Sequence, residues 1–142
     1  MSEPIEYKKG AHVQISKNFT STEFDCPCAG FIADDCGHTP IDPELVAAMQ
    51  RIRNSLMAPV KITSGFRCQS YQDHLKSQGY ETAKMSQHLL GKAVDFTCGG
   101  KTGDQLEAVA RGCGIKAVGV GAHFVHIDMR EDKDRRWTYI KR

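Results

Sequence analysis

The chain has 142 residues, 40% of them hydrophobic and 25% charged, a profile that suits one domain able to bury its own apolar core without a disulfide scaffold. Its 19 Lys and Arg against 17 Asp and Glu leave a formal charge of +2, too little for an electrostatic footprint on nucleic acid. No apolar run approaches the ~18 residues of a membrane span, and the N-terminal MSEPIEYKKG lacks the apolar stretch of a secretory leader, so the expectation is a chain made in the cytoplasm and not inserted into a membrane.

Residues 1–16 read as a polar N-terminal segment with partial disorder. A loop rich in Cys, Gly and Asp follows, and the clearest helix then starts at Asp42. Asp42 is a good N-cap, Pro43 suits the first helical position, and Leu45, Val46, Met49, Ile52 and Leu56 form one apolar stripe. After Pro59, the β-branched alternation of VKITS predicts a strand ending at Ser64-Gly65, with Arg67 on the loop beyond it. Ser70 to Gln78 suits a short helix closed by Gly79, and Ala93 to Thr97 a second strand. Thr102 to Cys113 predicts another helix, with Leu106, Val109 and Ala110 on one side. Ile115 to Gly121 and Phe124 to Met129 read as strands joined through Ala122-His123, a turn that would bring His123 near His126. The tail from Arg130 mixes both signs of charge around two aromatics, and reads as a solvated edge with Trp137 tucked onto the core, wall or glycan contact being the lesser reading. The fold class is therefore α+β: a single domain over residues 1–142, with helices packed on a small antiparallel sheet.

Six cysteines and six histidines make metal binding the first chemistry to consider. Cys26-Pro-Cys28, then Cys36-Gly-His38, place Cys26, Cys28, Cys36 and His38 in one loop. This grouping fits a structural metal, a disulfide made in an oxidising space, or free thiols. Cys68, directly after Arg67, is a further partner for that loop, whereas Cys98 and Cys113 read as small hydrophobes or a bridge from strand to helix.

The most informative stretch runs from Ser86 to Asp95 and is answered by His123 to Asp128. Asp95 sits in an apolar strand between Val94 and Phe96, where an unpaired carboxylate is costly, and His126 sits likewise between Val125 and Ile127. Two imidazoles and one carboxylate are an allowed ligand set for a catalytic zinc with an open position, which singles out His88, Asp95 and His126. On the residues alone, hydrogen-bonded core histidines remain an equal reading.

Ser-x-His-x-x-Gly-x-Ala-x-Asp at Ser86 to Asp95, preceded by Ser64-Gly65-Phe66-Arg67 and followed by Phe124-Val125-His126-Ile127-Asp128, resembles the zinc D-Ala-D-Ala carboxypeptidase family. That group takes in peptidoglycan peptidases of phage and bacteria, and its fold is shared with the hedgehog signalling domain. Ser16 to Thr20 with Glu23-Phe24 is similar to the lead-in of its short phage and prophage branch, so the likeness covers roughly residues 16–128. The resemblance implies zinc on His88, Asp95 and His126, substrate contact through Arg67, and a Ser86 that hydrogen-bonds substrate or steadies the His88 loop, with Gly91 allowing a tight turn. It also implies amide hydrolysis in the peptide part of peptidoglycan, as a D-Ala-D-Ala carboxypeptidase or an endopeptidase; the expected state of the chain is a monomer. An endolysin-like protein would reach the wall through a membrane lesion, or as a virion component. The family often carries Asp or Glu three residues before its last His ligand, and this chain has His123 there. His123 is the favoured general base and Asp128 the other candidate. The departure at position 123 keeps open a non-catalytic zinc-stabilised wall-binding module or a phage structural module, and the Cys26 loop allows a second, structural zinc.

Overall fold

The computed structural model describes residues 2–31, 35–80 and 86–139. Five strands form the main sheet: β5 (Val60–Ser64), β6 (Ala93–Cys98), β7 (Ala117–Val120), β8 (Val125–Asp128) and β9 (Arg135–Thr138). Their order is β5-β6-β8-β7-β9, antiparallel except for the β7 and β9 pair, which is parallel. Two short ribbons lie upstream, one pairing β1 (Ile5–Lys8) with β4 (His38–Ile41), the other β2 (Gln14–Ser16) with β3 (Phe19–Thr20). The expectation of a partly disordered N-terminus is thus corrected: β1 gains its ladder from β4, a partner more than thirty residues away that local composition does not announce.

Helix α1 spans Pro43–Leu56 and begins as its sequence dictates, with the Asp42 carboxylate accepting from the Glu44 N–H at 2.9 Å and Pro43 in the first turn. It ends on Met57 in the left-handed region at φ 52°. Leu45, Val46, Ala48, Met49 and Ile52 are its buried face. Helix α2 covers Gln69–Ser77, and α3 covers Gly103–Gly112 behind a Thr102 and Gln105 capping box. Leu106 and Ala110 of α3 join α1 and the sheet residues Val94, Phe96, Val118, Val125 and Ile127 in one core.

The period of two along β6 and β8 then places the chemistry. Val94 and Phe96 pair with Ile127 and Val125 on the core face, so Asp95 and His126, directly opposite each other in the ladder, point to the other face. The tail departs from expectation: residues 135–138 are not merely a solvated edge but the strand β9, in register with β7 from Ala117↔Arg135 to Val120↔Thr138. Gly119 is paired with both His126 and Trp137, and a Cβ there would lie 2.5 Å from the indole nitrogen. The missing side chain lets Trp137 reach across and rest on the His126 ring, with 5.2 Å between centroids.

Candidate metal centre

Three elements bring three donors together. β6 carries Asp95, β8 carries His126, and the short 3-10 turn Gln87–Leu90 carries His88. Ser86 caps that turn, its Oγ accepting from the His88 N–H at 3.2 Å, and Gly91 closes it at φ 70°. A Cβ at Gly91 would stand 2.3 Å from the Pro40 carbonyl oxygen, so only glycine lets the turn seat against β4. Ser86, 8% exposed, is placed to steady the His88 loop, one of the two roles expected for it.

His88 Nε2, Asp95 Oδ1 and His126 Nδ1 form a near-equilateral triangle with edges of 3.2, 3.0 and 3.2 Å. A zinc ion bonded tetrahedrally at ~2.0–2.2 Å sets its ligands about 3.3 Å apart, so the triangle is the right size. The outward ring nitrogens fix the tautomers. His88 Nδ1–H donates to the Gly65 carbonyl oxygen at 2.7 Å, and His126 Nε2–H donates to Asp128 Oδ2 at 2.9 Å. That leaves a lone pair on each inward nitrogen, facing a carboxylate oxygen and nothing apolar. Such a convergence repels unless a positive charge sits at its centre.

Burial and charge shift the three groups differently. Burial lowers the His88 pKa and keeps that ring neutral, as a ligand must be. Burial alone would raise the Asp95 pKa, but the His88 and His126 rings outweigh it and hold the carboxyl well below the usual carboxylate range. Burial likewise disfavours a charged His126, yet hydrogen bonds to Asp128 and Asp95 prevail and raise its pKa.

Asp128, expected as an alternative general base, stands elsewhere. It is 1% exposed, on the far side of the His126 ring from the donor triangle, and Arg130 holds both its oxygens, through Nε at 2.9 Å and Nη2 at 2.9 Å. Burial would raise its pKa, but His126 and Arg130 bring it down to about 2. It is thus placed to orient the imidazole through His126 Nε2. We expect Asp128→Ala to weaken zinc binding about 10- to 100-fold, read by competitive titration with a chelator. Unchanged affinity would mean that packing alone orients the ring.

Arg67 lies where a substrate contact is useful. Its Nη2 donates to Asp95 Oδ2 at 3.3 Å and its Nε to Ser64 Oγ at 2.9 Å, leaving further N–H groups toward a cleft of about 340 Å³. Tyr71, Tyr80, Phe124 and Asp95 also line this cleft, so Asp95 is the member of the triangle that meets it. His123 is exposed in the turn between β7 and β8, next to Phe124.

The loop cysteines also converge, with one exchange. Cys26, Cys28, Cys36 and Cys68 bring four sulfurs within 4.8 Å of one another. His38, expected as the fourth member, is elsewhere, its Nδ1 3.0 Å from Glu6 Oε2 and its ring edge-on to Phe66. The pairing of β4 with β1 turns that ring away. Sequence reasoning also missed the supporting roles of Gly65, Arg130 and Trp137. Only Arg130 left a local signal, two residues beyond Asp128 and so on the same side of an extended chain.

The sequence matches the Peptidase M15 family over residues 17–128. The chain belongs to that family. Its members are generally zinc-dependent, and the His88, Asp95 and His126 triangle is a donor set of that kind. The chain is 33% identical over 94 residues to the peptidoglycan L,D-endopeptidase MepK of Escherichia coli (strain K12), covering 62% of this chain and 50% of MepK. MepK of Shigella flexneri matches to the same extent. The chain thus spans about half the length of the curated relatives it matches. Among solved structures, the L-Ala D-Glu endopeptidase ChiX of Serratia marcescens superposes with a TM-score of 0.51 at 22% identity, over 63% of this chain and 80% of that one. The α+β class and the M15-type fold follow.

Proposed function

We propose that this chain is a zinc metallopeptidase that hydrolyses an amide bond in the peptide part of peptidoglycan, acting as an endopeptidase. The observation that carries the reading is the triangle of inward lone pairs, with both outward ring nitrogens already committed, at the edge of a cleft. The L,D-endopeptidase activity of MepK supports endopeptidase over carboxypeptidase action. Bound zinc supplies Lewis acidity toward the scissile carbonyl and activates water for attack.

The residues of the chain do the rest. His88, Asp95 and His126 hold the ion, Asp128 fixes the His126 tautomer, and Arg67 presents guanidinium N–H groups to a carbonyl or carboxylate of the peptide. His123 accepts the proton from the attacking water and returns it to the leaving amine. Its exposed position next in the chain to Phe124, which lines the cleft, supports this assignment, as does the commitment of Asp128 to His126 and Arg130. Action at the cell wall, after release or from a virion, goes with such a substrate.

Isolated sacculi test the reading. Wild-type protein is expected to release new amino groups, and a chelator to stop it. Mass spectrometry of a defined muropeptide then identifies the bond. His123→Ala is expected to lower kcat about 100-fold while zinc content stays unchanged. The alternative, a zinc-stabilised wall-binding module, draws on imidazole replacing the acid at position 123. Retention on sacculi without amino-group release would establish it instead.

A further inference from the structure

We propose that Cys26, Cys28, Cys36 and Cys68 form a second, closed metal site, a tetrathiolate that takes zinc and fastens the N-terminal loop to the segment carrying Arg67. The inference stands apart from the peptidase reading, because it rests on a different set of atoms.

Four sulfurs converge from three stretches of chain. Cys26 and Cys28 flank the start of the 3-10 turn Pro27–Gly30, Cys36 precedes β4, and Cys68 caps α2. Cys26 Sγ lies 3.7 Å from Cys68 Sγ, and Cys28 Sγ 3.6 Å from Cys36 Sγ. A tetrahedral zinc with Zn–S bonds of ~2.3 Å spaces its sulfurs about 3.8 Å apart. Two separate disulfides would need each pair alone, not all four sulfurs around a common point.

Three of the sulfurs accept from backbone amides or an ammonium, although Cys28 and Cys36 also face Asp35 Oδ1 and the His38 carbonyl at 3.7 Å. The Cys36 N–H donates to Cys28 Sγ, the Cys68 N–H to Cys26 Sγ and the Tyr71 N–H to Cys68 Sγ, each at 3.4 Å. The Lys9 ammonium also donates to Cys28 Sγ at 3.4 Å. A dication with four thiolates carries a net charge of about −2, which the three amides and the Lys9 ammonium offset in part, the ammonium being shared with Asp35 at 2.6 Å. Soft sulfur donors in a tetrahedron select zinc over calcium or magnesium. With four protein ligands no position remains for substrate, so the role is structural.

The site also explains how this layer holds together. Apart from Cys26 and Cys28 themselves, Phe66 is the buried apolar residue of the cluster, and Cys36, Cys68 and Tyr71 pack around it. So small a core stabilises little, and a metal staple supplies what apolar burial does not. What it secures matters to the other centre. Phe66 N–H donates to the Phe24 carbonyl at 2.8 Å and Arg67 N–H to the His88 carbonyl at 3.2 Å, so the strap Gly65-Phe66-Arg67-Cys68 runs between the two sites. Gly65 holds His88 and Arg67 faces the cleft.

Metal content and cobalt spectra test this. The wild-type chain, purified without chelator, is expected to carry about two zinc ions, and the double variant His88→Ala/His126→Ala about one. Cobalt loaded into that double variant should show the intense near-ultraviolet thiolate-to-cobalt charge transfer of a tetrathiolate. Cys68→Ser should abolish that band, and Cys113→Ser should leave it intact. Should Cys68→Ser cost the fold, the spectrum of the cysteine-intact double variant decides independently. A double variant with neither zinc nor charge transfer overturns the proposal, as does a non-reduced mass showing two disulfides among these four cysteines. Failure of the peptidase reading would instead leave two zinc ions and no hydrolysis.

Discussion

Replacing His126 with alanine is expected to lower amide hydrolysis at least ~1,000-fold, because on the proposed mechanism the residue is a zinc ligand and its removal dismantles a unit whose members act together. The Nδ1 atom supplies one corner of the triangle, 3.0 Å from Asp95 Oδ1 and 3.2 Å from His88 Nε2. Without it, two protein donors remain, fewer than the three that catalytic zinc sites use. His88→Ala should behave alike, since the Gly65 carbonyl cannot replace the nitrogen it orients. The paired measurement is zinc per chain at the catalytic centre and hydrolysis of a muropeptide, with circular dichroism to show that the variants fold. A folded variant that has lost this zinc yet hydrolyses normally would remove His126 from the mechanism.

Asp42→Ala is expected to cost on the order of 3–5 kcal/mol of stability, the range for stripping one partner from a buried ion pair. The Asp42 carboxylate is fully buried, caps α1 through the Glu44 N–H, and pairs with Lys92 Nζ at 2.8 Å. The Ser2 hydroxyl donates to it as well. Truncation would leave the Lys92 ammonium, 17% exposed, with the Ser2 carbonyl as its remaining close partner. The same contact sets an acid limit. Burial alone would raise the Asp42 pKa, but Lys92, Ser2 and the Glu44 amide prevail and lower it. A carboxyl lowered in the folded state contributes its full stabilisation above its unfolded pKa of ~3.9, and that contribution disappears as pH falls through the lower folded value. Urea midpoints of wild type and Asp42→Ala should therefore differ most near neutrality and draw together below about pH 4. A gap that persists undiminished in acid would show the loss to be one of packing.

Part of this architecture is legible in single residues. Asp42-Pro43 with its apolar stripe starts α1 where the chain says it should, and VKITS and AVDFT form β5 and the body of β6. Thr102 caps α3 one residue before the helix begins. These are signals that cap chemistry and periodicity carry within a few residues. β9 was not legible, because Arg135 and Arg136 suit solvent as well as an edge strand, and its partner β7 lies more than a dozen residues upstream. Nor was the exchange of His38 for Cys68, since the two differ in where distant elements carry them and not in ligand chemistry.

The local pattern settled which side chains share a face: Asp95 must oppose Val94 and Phe96, and His126 must oppose Val125 and Ile127, because successive side chains on a strand alternate. What only the tertiary structure decided is the register that sets Asp95 against His126, the turn at Gly91 that lays His88 over both, and the meeting of Cys26 with Cys68 across 42 residues. Those depend on the burial of a common core by segments remote in sequence, a free energy that no stretch of chain holds by itself.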